Sequence, residues 1–199
     1  MLARVAYLVS GAAIAAAAYA ATIKAELGLG PLFVVQEGIA GHLDITIGRS
    51  VMIVGSSLCV IAMAMRQWPG VGTVTLPFLM GAMVDAMLPH TPTPGGIPLR
   101  LAVVVVGTFV MALGGALIIS SRLGAGAPDL VMLALSRVTR FNNRQVRLAL
   151  EAGWLFAGWL LGGAVGIGSV ITGLMIGPML HFWIERLHSE PVEQEHVVV

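Results

Sequence analysis

The chain has 199 residues, of which 57% are hydrophobic and only 11% charged, and its net charge is +1. A soluble domain carries roughly 25% charged residues, so the side chains needed to solvate a globular surface are missing here. The near-neutral balance gives no electrostatic reason for nucleic acid as a partner. The single Cys59, inside an apolar run, has no second thiol for an intrachain disulfide and reads as a small buried hydrophobe.

An apolar run over about 5–24 opens the chain. Met1-Leu2-Ala3-Arg4 ahead of it and Ala18-Tyr19-Ala20 near its end mimic a secretory signal with a small-residue cleavage site. The run recurs at 101–120, and a segment repeated in mid-chain is expected to be a retained helix. It is long enough to cross the roughly 30 Å hydrocarbon core, which takes about 20 residues. The junction Leu27-Gly28-Leu29-Gly30-Pro31 follows. Its glycines can turn the backbone, and its proline suits the first position of a helix. A short apolar segment at 31–41 comes next, then longer ones at 48–66 and 71–88. His90-Thr-Pro-Thr-Pro-Gly-Gly-Ile-Pro98 is turn-rich and reads as an exposed linker. The pattern then starts again. After 101–120 come Leu123-Gly124-Ala125-Gly126-Ala127-Pro128-Asp129, a short segment at 127–138, and longer ones at 145–163 and 167–187.

The recurrence is legible residue by residue. At an ungapped offset of 96, Arg4 matches Arg100, Gly11 matches Gly107, Leu27 matches Leu123, Gly28 matches Gly124 and Gly30 matches Gly126. Further on, Gly70 matches Gly166, Gly72 matches Gly168 and Gly81 matches Gly177. Alanine and valine identities are cheap in so apolar a chain; glycines mark turns or close helix contacts and are less so. The chain therefore reads as two membrane repeats, 4–88 and 100–187, joined by a linker at 89–99. The acidic tail 188–199 lacks periodicity and is expected to be disordered.

The predicted fold class is all-α, a polytopic transmembrane helical bundle of two internal repeats. Stretches of about 10–14 apolar residues are more often re-entrant or interfacial than spanning, which leaves two topologies. If the short segments span, each repeat has four crossings and the repeats are parallel. If they do not, each has three spanning helices and one short helix, and the repeats are inverted. Equivalent loops carry opposite charge bias. Arg137, Arg140, Arg144 and Arg147 stand where the first repeat has His42, Asp44 and Arg49, and Arg66 faces an uncharged Gly162-Gly163-Ala164-Val165. Opposite bias favours the inverted arrangement, with both termini cytoplasmic by the positive-inside rule.

Ionisable groups within apolar segments cost roughly 2.5 kcal/mol or more at the bilayer centre. Glu151, one turn after Arg147, is either a structural i,i+4 pair with it or a carboxylate facing a polar cavity. Glu37, beside Gln36 in the first short segment, reads as water-facing or as the mouth of a vestibule. Asp129 follows Pro128 in the first turn of a helix, where the helix dipole favours a carboxylate; the alternative is a polar site where broken helices meet. These three are the candidate substrate or ion ligands. Gly28, Gly30, Gly70, Gly72, Gly124, Gly126, Gly166 and Gly168 are the candidate hinges or points of close approach. Asp85 and its twin His181 read as interfacial, and Trp154 as a belt or packing residue. Gly158-x-x-x-Gly162 and Gly173-x-x-x-Gly177 allow close helix approach, within the chain or between two copies. The five histidines show no metal-ligand spacing, and no nucleophile–base set, P-loop or dinucleotide fingerprint is visible. Neither a metal, a cofactor nor an enzymatic activity is expected.

With the junctions quoted above, Pro69-Gly-Val-Gly-Thr73, Glu151, Leu161-Gly-Gly-Ala-Val-Gly-Ile-Gly168 and Gly177-Pro178, the chain resembles the YczE/YitT-type family of bacterial membrane proteins. The likeness covers nearly everything except the tail. It implies a multi-pass protein of the bacterial plasma (inner) membrane and leaves transport and accessory roles both open. In that family's pattern an aspartate follows the first Gly-Pro as well. Here Leu32-Phe33 stand in its place, which argues against a symmetric two-carboxylate site. Two functions follow as expectations. One is a small-solute or ion transporter with a polar site between the repeats. The alternative is a non-transporting accessory or scaffold protein for a partner membrane protein, with Arg137–Arg147 as a docking surface or anionic-lipid contact.

Overall fold

The computed structural model describes residues 1–124 and 126–187; the acidic tail lies outside the described residues. These are all-helical, with no strand among them. The order is α1 (Leu2–Ala25), α2 (Pro31–Leu43), α3 (Ile47–Ala64), α4 (Val71–Met87) with a 3-10 turn at Leu88–His90, α5 (Ile97–Ser120), α6 (Ala127–Val138), α7 (Asn143–Leu160) and α8 (Ile167–Leu187). Five helices are long and apolar enough to cross a membrane: α1, α3, α4 with its 3-10 turn, α5 and α8. The 18-residue α7 carries Arg144, Arg147 and Glu151 and is not among them. At 13 and 12 residues, α2 and α6 are about 18–20 Å long, too short for the roughly 30 Å core.

The centre of the bundle is the contact between α1 and α5. Alanines line α1 (Ala12, Ala15, Ala16 and Ala20 are buried), and glycines let the two backbones approach closely. A Cβ added to Gly11 would stand 2.7 Å from the Gly114 carbonyl oxygen, and one added to Gly107 would stand 2.8 Å from the Thr22 methyl. Gly11 thus lies beside Gly114 and Ile118, and Gly107 beside Ala18 and Thr22, so α1 and α5 run antiparallel. A salt bridge of 2.8 Å between Arg100 and Glu26 closes one end of the pair. On the flanks, α4 packs along α1 and α8 along α5.

The remaining helices form a ring. Helix α2 packs on α7 and α3 on α6, while α2–α3 and α6–α7 contacts complete the circle. The two halves of the chain therefore interlock around one core. In that core Tyr19 is fully buried, with Phe33 of α2 stacked on it at 4.1 Å. A second cluster joins α3 to α6 through Val54, Leu58, Cys59, Ala127, Leu130 and Val131, so Cys59 is the small buried residue its setting predicts.

The two glycine junctions tie the halves together. Gly28 and Gly124 adopt φ of 96° and 140°, a region that side chains disfavour. The backbone N–H of Gly168 donates to Leu27 O at 2.7 Å, and that of Gly72 donates to Leu123 O at 2.8 Å. Each junction thus satisfies an N–H at the start of a helix in the other half. Gly70 lies against Leu123 and Gly124, and Gly166 against Leu27 and Gly28. Gly30 and Gly126 are the N-caps of α2 and α6.

One pair of interfaces differs. Helices α3 and α4 pack tightly, with Gly48 against Gly81 and Asp85, and Gly55 against Pro77. Asp85 accepts from Thr46 Oγ1 at 2.6 Å and from the Gly48 N–H at 2.8 Å, so α4 caps the start of α3. Among the described residues α7 and α8 scarcely touch. Where α3 has Gly48 and Gly55, the positions 96 further on are Arg144 and Glu151.

Candidate functional site between α6 and α7

Helix α7 begins with a capping box. Asn142 Oδ1 accepts from the Gln145 N–H at 2.9 Å, and Gln145 Oε1 accepts from the Asn142 N–H at 3.1 Å. From that start Arg147, Leu150, Glu151 and Trp154 recur at i, i+3, i+4 and i+7, which places them on one helical face. The chain reverses into α7 from α6, whose first turn holds Pro128 and Asp129. Between the two helices lies a cavity of about 70 Å³ lined by Pro128, Asp129, Met132, Arg147, Leu150, Glu151 and Trp154. Asp129 and Glu151, 22 positions apart in sequence, are thereby brought to one site.

Arg147 Nε donates to Glu151 Oε1 at 3.0 Å, so the structural pair is real, and both members also face the cavity. The guanidinium is 43% exposed and the carboxylate 23%. A pair so accessible contributes about 0.3–0.5 kcal/mol to stability. With Asp129 ionised the three groups sum to one negative charge. Burial raises the Asp129 pKa above the usual carboxylate value, and Arg147 pulls against it; α6 is outside the spanning helices. Glu151 is the ninth of the 18 residues of α7. At 1.5 Å per residue it lies about 12 Å from the helix start, midway along.

Glu37 is elsewhere. Its Oε2 accepts from the Ala164 N–H at 2.6 Å, which ties α2 to the α7–α8 turn at the opposite end of α7 from the arginine-rich loop. Its neighbour Gln36 is buried, and its Oε1 has no hydrogen-bond partner among the described residues; the same holds for the Tyr19 hydroxyl. Ser169 Oγ accepts from the Gly166 N–H at 3.3 Å, satisfying a backbone group just ahead of α8. Gly158 packs on Val34 of α2, while nothing among the described residues lies against Gly173 or Gly177. Trp154 belongs to the cavity although its sequence context reads as a belt or packing residue, and Met132 lines it too. The signal for Trp154 was its i+3 spacing from Glu151; Met132 carried none.

The family model "Family of unknown function (DUF6198)" matches residues 2–185. The chain belongs to this family. The "Uncharacterized membrane protein YczE" of Bacillus subtilis (strain 168) is 28% identical over 160 residues, covering 78% of this chain and 73% of that protein. An "Uncharacterized protein" of Haemophilus influenzae (strain ATCC 51907 / DSM 11121 / KW20 / Rd) is 25% identical over 179 residues, 86% of this chain and 80% of that one. No solved structure matches. The expected YczE-type resemblance therefore holds, and with five apolar helices of spanning length the family member described here is a membrane protein.

Proposed function

We propose that the protein is a small secondary permease of the bacterial plasma membrane, with the α6–α7 cavity as its binding site. The ligand is a cation, a proton, or the amine of a small solute. The observation that carries this reading is the convergence of Asp129, Arg147 and Glu151, from two different helices, on one cavity; ionisable groups gathered on a water-filled cavity of a membrane protein mark ion and substrate pathways. The chain is then a carrier rather than an enzyme.

Inverted repeats around a midplane site are a common transporter plan, and several contacts support that arrangement. The corresponding helices α1 and α5 are antiparallel. The bond from Gly168 to Leu27 has its counterpart, 96 positions away, in the bond from Gly72 to Leu123. In this arrangement Arg4, Arg66, Arg122, Arg137, Arg140, Arg144 and Arg186 gather at the face where α1 starts, against Lys24, Arg49 and Arg100 at the other. The positive-inside rule then makes both termini cytoplasmic and puts Glu37 near the outer mouth.

Flux through purified protein in liposomes tests the proposal. Uptake or efflux of a small cation or amine by the wild type should fall at least tenfold in Glu151→Gln and in Asp129→Asn. A second reading, an accessory protein that docks a partner, is favoured by the exposure of Arg140 and Phe141 on the α6–α7 loop and of Arg144 in the first turn of α7. Absence of flux across a broad solute panel, together with a co-purifying membrane protein lost in Arg140→Glu, would select it.

A further inference from the structure

The α6–α7 cavity shares a wall with a second one. Trp154 lines both. The second cavity holds about 200 Å³ and is walled by Leu32, Val35 and Ile39 of α2 and by Ile53, Val54 and Leu58 of α3, with Ser57 as its one hydroxyl. Size separates the two as clearly as polarity does. The charged cavity, of about 70 Å³, suits a head group of a few heavy atoms. The apolar cavity is nearly three times larger.

We infer that the two cavities hold the two ends of one ligand, an amphiphilic amine. This rests on the permease reading and names its substrate class. The ammonium sits between the carboxylates of Asp129 and Glu151, whose net charge with Arg147 is negative. Trp154, one turn beyond Glu151, offers it an aromatic face, and the alkyl chain passes the indole into the α2–α3 cavity. A metal cation or a proton would use the first cavity alone. The apolar cavity is bounded by both halves of the chain, α2 and α3 from one and Trp154 from the other. A tail seated there therefore spans the interface that a transport cycle would move.

Binding of a homologous series from ethylammonium to octylammonium tests the inference. The protein is held in phosphatidylcholine nanodiscs, and empty discs correct for partition into lipid. Affinity should rise about fourfold per added methylene, the ratio expected for transfer of one CH₂ out of water, until the cavity is full. In Ile53→Trp, which fills the apolar cavity, the dependence of affinity on chain length should disappear. Leu32→Trp is the second filling variant and must behave alike. Glu151→Gln should lower affinity for every member by at least tenfold. Ethylammonium binding with no rise along the series would overturn the amphiphile assignment and leave the permease reading standing. A rise that persists in both tryptophan variants, or is indifferent to Glu151→Gln, would overturn it too, as would failure of every member to bind. Loss of flux in Glu151→Gln, measured separately with another solute, reports on the permease reading alone.

Discussion

Asp129 and Glu151 reach the same cavity from different helices, and only Glu151 has a cation hydrogen-bonded to it. Asp129 is left with burial raising its pKa. A carboxyl group of this kind stabilises the fold only while protonated. That contribution is present below about pH 4 and is lost as pH rises through the raised value. Asp129→Asn should therefore match the wild type in thermal midpoint at acid pH and exceed it at neutral pH; a lower neutral midpoint for the variant would mean that Asp129 is held ionised by Arg147. The glycines make a different kind of claim. At Gly28 a side chain would meet both an unfavourable φ and the Gly166 backbone. Gly28→Ala should cost at least about 2 kcal/mol, read as a fall in the detergent melting midpoint, and Gly124→Ala, at the matching junction, should behave in the same way. Midpoints unchanged in both would show that the junctions are ordinary loops.

Among the elements, the contrast between the α3–α4 and α7–α8 pairs is the most instructive. Gly48 and Gly55 let α3 lie directly on α4, and Asp85 fastens its first turn. Asp85→Ala removes two acceptor contacts to the start of α3 and should destabilise by roughly 1–3 kcal/mol, whereas the matching His181→Ala, at an exposed i,i+4 pair with Glu185, should be nearly silent. Arg144 and Glu151 stand 96 positions after those glycines, α7 scarcely touches α8 among the described residues, and Arg147 and Glu151 line the cavity shared with α6. Much of this was legible in advance. The eight apolar segments fall where the helices are, because their lengths and bounding Gly-Pro signals are local properties. The pairing of Gly28 with Gly166 and of Gly70 with Gly124 was not, since an offset identity shows that two glycines correspond without showing which glycine each one touches. Asp129 and Glu151 could be picked as charges needing a reason. Their meeting could not, because it depends on α6 folding back along α7.

For the whole molecule, the interlocked halves make topology and function one question. If α1 and α5 cross the bilayer in opposite senses, the loops at residues 44 and 142 lie on opposite sides. Single cysteines there, in a Cys59→Ala background, should be labelled by an impermeant maleimide from outside and from inside respectively; labelling of both from one side would contradict the arrangement. The central claim, that the α6–α7 cavity is the binding site of a carrier, has a direct test that needs no knowledge of the ligand. Met132 lines the cavity, and in Cys59→Ala/Met132→Cys an impermeant thiol reagent can be offered to right-side-out and to inverted vesicles. A carrier that opens alternately predicts labelling from both sides, whereas labelling from one side only would contradict it.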